Sequence, residues 1–180
     1  IHTPETKLSD CYKSESEDKW TKFIKELETS AVQAFGITDY FCCKNYFSFV
    51  EKYKAQFPDS TKVFFPNIEF RLSDAIGKEG MSPDLHIIFN IDKEICSQGS
   101  ITKFLSKLII HGTDENDAKV YCTDLKTKAD YDSASVALKD IVEALADTFG
   151  NSEPYLIIFP AKNDGMKSTD TKSPRKIKIA

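Results

Sequence analysis

The sequence predicts an α/β fold with a largely parallel sheet, and two observations carry that expectation. Apolar residues at helical spacing alternate along the chain with short apolar runs of strand type, and turn-forming residues fall between them. Neither an internal repeat nor a coiled-coil heptad competes with this reading.

Taken in order, residues 5–17 are polar and acidic and read as a loop leading into a helix start. Trp20, Phe23, Ile24, Leu27 and Ala31 share one face of a first helix, with Lys22, Lys25, Glu26 and Glu28 toward water. A short strand over 32–37 ends at Thr38-Asp39-Tyr40. Tyr46, Phe49, Val50 and Tyr53 give a second helix that Phe57-Pro58-Asp59 stops. Residues 63–65 and 68–72 read as two extended runs divided by Pro66, followed by a glycine-containing loop over 73–83.

Residues 85–91 form a strand of the buried type, apart from His86 near its beginning. Ile101, Phe104, Leu105, Leu108 and Ile109 make a third helical face, and Leu138, Ile141, Val142, Leu145 and Phe149 a fourth, with a short strand over 120–122 between them. Gly150 stops the fourth helix, and 155–159 is a continuous apolar strand. Residues 162–178 are polar and rich in lysine, the composition of a long loop or lid. The opening Ile1-His2-Thr3-Pro4 reads as the exit of a strand, and Lys176-Ile177-Lys178-Ile179-Ala180 as the start of another, so the chain is expected to be a segment of a longer one. The expected organisation is one domain over 1–161, then a polar lysine-rich loop over 162–180 leading into a further strand.

Composition narrows the class. With 180 residues, 41% hydrophobic and 29% charged, the chain can bury one sizeable core. A formal net charge of -4 argues against holding nucleic acid by bulk electrostatics, although a local basic strip survives that average. Cys11, Cys42, Cys43, Cys96 and Cys122 form no CxxC pair and read as reduced structural thiols. No apolar run approaches the roughly 20 residues that span a bilayer, and a cytoplasmic location is expected.

Four residues stand where chemistry is carried. His2 and Asp39 lie at strand exits, Glu69 is embedded in an apolar run, and His86 sits in a strand of the buried type. A carboxylate in such surroundings needs a cation, a proton or strong hydrogen bonds. Singly, each has an ordinary structural reading: Glu69 paired with Arg71, Asp39 capping the next helix, His86 a hydrogen-bonded core imidazole. Together they compose a mixed imidazole and carboxylate set, which suits zinc, manganese or iron.

The ordered strings His2-Thr3-Pro4, Gly36-Ile37-Thr38-Asp39, Pro66-Asn67-Ile68-Glu69 and Leu85-His86-Ile87-Ile88-Phe89 resemble the motifs of the PHP (polymerase and histidinol phosphatase) superfamily. More narrowly, the chain resembles the PHP domain at the front of TrlF-type anti-phage defence proteins, in which an SMC-like ATPase follows. The resemblance runs from Ile1 to about Pro160. It implies a distorted (βα)7 PHP-type barrel, incomplete in this segment, with one to three divalent ions (Mn, Zn or Fe) at its mouth. His2 matches the second histidine of the opening HxH motif. Glu69 and His86 match later metal ligands, and Asp10 an acidic position after the opening motif. Asp39, with Tyr40 beside it, is placed to orient ligands or water. Two departures stand out: Tyr40 and Phe159-Pro160 occupy positions where the family commonly has histidine.

The function implied by the resemblance is a metal-dependent phosphoesterase, a nuclease domain coupled to the ATPase of the same full-length protein. Arg71, Lys162, Lys167, Lys172 and Arg175 would then meet the phosphates of a nucleic acid, and a homo-oligomer is compatible. The competing expectation is a catalytically degenerate sensor or docking module for that ATPase. An amidohydrolase-like metal barrel acting on a small C–N substrate is a third reading.

Overall fold

In a computed structural model, residues 1–8, 18–74, 82–92, 94–112 and 119–160 are described. Asp10, Cys11, Lys162, Lys167, Lys172 and Arg175, and with them the expected lysine-rich loop and closing strand, lie outside the described residues.

The first helix, α1 (Lys19–Thr29), is set by Asp18, whose carboxylate accepts from the Trp20 and Thr21 amides. It buries Trp20, Phe23, Ile24 and Leu27, the face the spacing predicts, but it ends before Ala31. The strand β1 (Ala34–Tyr40) continues through Thr38, Asp39 and Tyr40 instead of ending before them. After it come α2 (Lys44–Gln56), β2 (Val63–Arg71), β3 (Asp84–Phe89) and α3 (Gln98–Leu105). Pro66 does not divide β2. The β3 pairing starts one residue later, at Asn67, so the proline falls where β2 is laddered only to β1.

Two short strands, β4 (Ile109–Ile110) and β5 (Val120–Tyr121), form a separate antiparallel ribbon. Ile109 therefore belongs to an extended segment and not to the α3 face. Then follow α4 (Lys128–Ser133), α5 (Leu138–Phe149) and β6 (Tyr155–Ile158).

Among the described residues the main sheet is four-stranded, in the order β1-β2-β3-β6. Only β1 and β2 run parallel, whereas β2–β3 and β3–β6 are antiparallel. The expectation of a largely parallel sheet is thus corrected. The physical reason lies in the connections: β1 returns to β2 through the helix α2, a crossover that parallel pairing requires, whereas the stretch from β2 to β3 is short, residues 72–83, with no crossover helix among its described residues. Among the described residues the sheet is open and closes into no barrel. Residues 1–3 add a parallel rung outside β1, where the Thr38 amide donates to the Ile1 carbonyl (2.8 Å) and the Thr3 amide to the Thr38 carbonyl (3.1 Å).

The strand period of two separates the faces of this sheet. Ile37, Ile68, Phe70, Leu85, Ile87 and Phe89 are essentially fully buried beneath the helices. Over the start of the sheet, α2 brings Phe49 and Tyr53 onto Phe64, with Phe23 of α1 against Phe49; over β3 and the end of β2, Phe104 of α3 and Phe149 of α5 meet Phe70 and Phe89. The opposite face holds Thr38, Tyr40, Asn67, Glu69 and His86, and on β6 it exposes Leu156 (61%) and Ile158 (39%).

One tight approach gives a direct test of this packing. Gly112 has φ +91°, and a Cβ there would meet the Ser133 carbonyl oxygen at 2.6 Å, beside the bridge that joins His111 to Ser135. Gly112→Ala is expected to lower unfolding free energy by about 1–3 kcal/mol. Urea denaturation checks it, and an unchanged midpoint would show that the β4 turn carries no such constraint.

Candidate functional site

The candidate residues gather around the C-terminal half of β1 and its neighbours, but on two faces. Register aligns Tyr40 with Glu69 and Glu69 with His86, and the outer rung aligns His2 with Thr38. These side chains point to the open face. Asp39 aligns with the fully buried Ile68 and therefore points to the helical side.

On the open face, Glu69 is the centre. Its Oε2 lies 3.1 Å from His2 Nε2 and 4.0 Å from His86 Nε2, and the residue is only 7% exposed. Tyr40 stacks on the His2 ring, with centroids 4.8 Å apart and an interplanar angle of 20°. Asn67 spans the next register pair: its Nδ2 donates to Thr38 Oγ1 (2.8 Å) and meets His86 Nδ1 (3.1 Å). An amide nitrogen can only donate, so His86 Nδ1 accepts and the proton of the neutral ring sits on Nε2, toward Glu69. Burial pushes the His86 pKa below its ordinary value, and the nearby Glu69 carboxylate opposes that shift.

On the helical face, Asp39 is 2% exposed and its Oδ1 accepts from Thr3 Oγ1 (2.6 Å) and Asn45 Nδ2 (3.3 Å). Burial raises its pKa to about 6 against the lowering effect of those two donors. Asp39 does not cap α2: the residue at that position is Cys43, which makes no side-chain cap bond. The chain turns just beyond, at Phe41, with φ 52°. A bulky residue holds that conformation at a cost of about 1–3 kcal/mol. Burial of the ring to 1% exposure against Phe70 offsets it.

Arg71 does not pair with Glu69; its Nη1 donates to the Asp132 carbonyl (2.6 Å) at the far end of β2. The thiols of Cys42, Cys43, Cys96 and Cys122 are free, and burial raises each pKa, that of Cys96 to about 11. Thr3, Thr38, Asn45 and Asn67 are partners that the sequence reading passed over. Asn67 carried a signal, an amide within an apolar strand run, whereas Thr3 and Asn45 are tied to Asp39 by tertiary folding alone.

His2, Glu69 and His86 together offer two nitrogens and a carboxylate oxygen. Donors around a tetrahedral ion of zinc size are about 3.3 Å apart, a spacing that the observed 3.1 and 4.0 Å bracket. Two buried atoms, His2 Nδ1 and Asn67 Oδ1, have no hydrogen-bond partner. For His86 Nε2 to become a ligand its proton must move to Nδ1, which then needs an acceptor, and Asn67 Oδ1 is the acceptor on the side chain already in contact. The donor chemistry thus fits a borderline divalent cation. The arrangement itself is a close His2–Glu69 contact at 3.1 Å with His86 a step further out. Among the described residues no group of three or more His, Cys, Asp or Glu side chains is spaced to hold a metal ion as it stands.

No helix among the described residues is long and apolar enough to cross a membrane. Comparison with protein-family models, with curated proteins and with solved structures found no match for the chain.

Proposed function

We propose that the chain is a metal-dependent phosphoesterase of the PHP type, acting on nucleic acid, with His2, Glu69 and His86 as the cation ligands. The observation that supports this most is the convergence of two imidazoles on one buried carboxylate from three separate stretches of sequence. A bound divalent cation would supply Lewis acidity toward phosphoryl oxygens and a water of lowered pKa.

The chain's own residues do the rest. Tyr40 holds the His2 ring in place by stacking, and Asn67, itself held at Thr38, orients the His86 ring; with a cation bound, the Asn67 amide would turn so that Oδ1 accepts from His86 Nδ1–H. The His2 and His86 side chains, 27% and 23% exposed, are the parts of this group that solvent reaches, and Arg71 at the end of β2 offers a cation on the same strand face. A complete PHP barrel and an attached SMC-like ATPase belong to this reading as proposals, as does action in anti-phage defence.

The test is hydrolysis of single-stranded and duplex DNA and RNA by the protein after chelation and reloading with Mn²⁺, Zn²⁺ or Fe²⁺. Metal-restored cleavage supports the reading. Absence of both binding and cleavage favours the second reading, a sensor or docking module. That second reading draws on the exposed Leu156 and Ile158 beside His86 and on Tyr40 standing where the family commonly has an imidazole.

A further inference from the structure

A cavity of about 1010 Å³ opens beyond the end of β1 on the helical side, walled by the β1–α2 turn, the first turn of α2, α3 and residues 122–131. Its size is at the upper end of small-molecule sites, which run to about 1,000 Å³. Tyr40, which stacks on His2, also borders it, so it adjoins the Glu69 face without being part of it.

Three of its properties point to one class of ligand. Lys7, Lys44 and Lys126 line it, together with the N-terminus of the 13-residue α2, which has no acidic residue in its first turn and no side-chain cap. Positive charge and the helix N-terminus favour an anion, and phosphate suits them; of the first-turn amides, that of Lys44 already donates to Cys42 Sγ (3.3 Å) and that of Tyr46 to the Cys43 carbonyl (3.2 Å). Asp39 also lines the cavity, 2% exposed, with its Oδ2 unpartnered although Oδ1 takes two donors. An orphaned buried carboxylate oxygen asks the ligand for a hydroxyl or amine donor. Tyr131 and Leu125 add a flat apolar wall. The other carboxylate in the lining among the described residues, Glu5, is engaged by Trp20 Nε1 at 2.8 Å.

We propose that this cavity is a nucleotide site, with phosphate at Lys44 and the start of α2, a ribose hydroxyl on Asp39, and the base against Tyr131 and Leu125. The assignment goes beyond the phosphoesterase reading and does not depend on the cation site.

The test is calorimetric titration of the full chain with AMP in the presence of chelator, beside adenosine, inorganic phosphate and 2′,3′-dideoxy-AMP. AMP is expected to bind, and Lys44→Ala with Lys126→Ala to weaken it by about tenfold or more, the loss of one charge-assisted hydrogen bond. Asp39→Asn is expected to erase the preference for AMP over the dideoxy analogue. The proposal is overturned if AMP binds no more tightly than adenosine or phosphate alone, or if the lysine variants, which lie on the surface and leave the core intact, bind AMP as the parent does. Because chelator is present, either failure leaves the cation reading standing, and failure of cation binding leaves this one standing.

Discussion

Glu69→Gln is expected to weaken divalent-cation affinity by at least about a hundredfold, and metal-restored phosphodiester hydrolysis with it. Among the described residues the carboxylate is the only anion between His2 and His86, and glutamine keeps its shape while removing the charge and half of its acceptor capacity. Loss of a hydrogen bond to a ligand already lowers metal affinity by about 10–100-fold, so loss of the ligand charge falls at or beyond that limit. The fold should persist, because Glu69 lies on the open face and the apolar contacts of β2 come from Ile68 and Phe70 on the other. Competition against a fluorescent chelator reads the affinity, and circular dichroism checks the fold. A folded variant that binds cation as tightly as the parent removes Glu69 from the site, and with it the phosphoesterase reading. His86→Ala should behave in the same direction, since it removes one nitrogen donor from the far side of the same carboxylate.

The order of the longer helices and strands was legible because burial follows periodicity, whereas β4 and the six-residue α4 were not. Phe23, Ile24 and Leu27 on α1, or Ile141, Leu145 and Phe149 on α5, recur at the spacing that one buried helix face demands. Strand direction was not legible, since the apolar run around Ile87 reads the same whether its neighbour is parallel or antiparallel. Only the length of the connection from β2 to β3, without a crossover helix among the described residues, decides it.

The site was legible in part. Polar residues inside apolar runs marked His86 and Glu69, because burying such groups without partners is unfavourable. Which face each one occupies depends on register, and register placed Asp39 opposite Ile68, away from Glu69. The supporting amides, Asn45 and Asn67, follow from that register too.

Asp39 gives the second large expected effect, read as a slope in stability. Its folded-state pKa is raised to about 6, chiefly by burial, against an ordinary value of 3.8. Between those values the folded chain binds more proton than the unfolded chain, so this group makes stability fall as pH rises from about 4 to about 6. The integrated loss by pH 7 is roughly 3 kcal/mol at 1.36 kcal/mol per unit, and at 2% exposure solvent screens little of it. His86 acts in the opposite sense over a neighbouring window: with its folded pKa lowered from 6.5, its contribution rises as pH approaches that value. Total stability against pH therefore mixes the two, and the informative quantity is the difference between Asp39→Asn and the parent. The amide left without a partner at the old Oδ2 position shifts that difference by a constant, because it does not titrate over this range. Urea unfolding at pH 4, 5, 6 and 7 should show the variant gaining on the parent by about 2–3 kcal/mol across the series. A flat difference would mean that Asp39 is solvated or paired at neutral pH, and would remove the unsatisfied carboxylate oxygen from which the adjoining cavity draws its demand for a hydroxyl-bearing ligand.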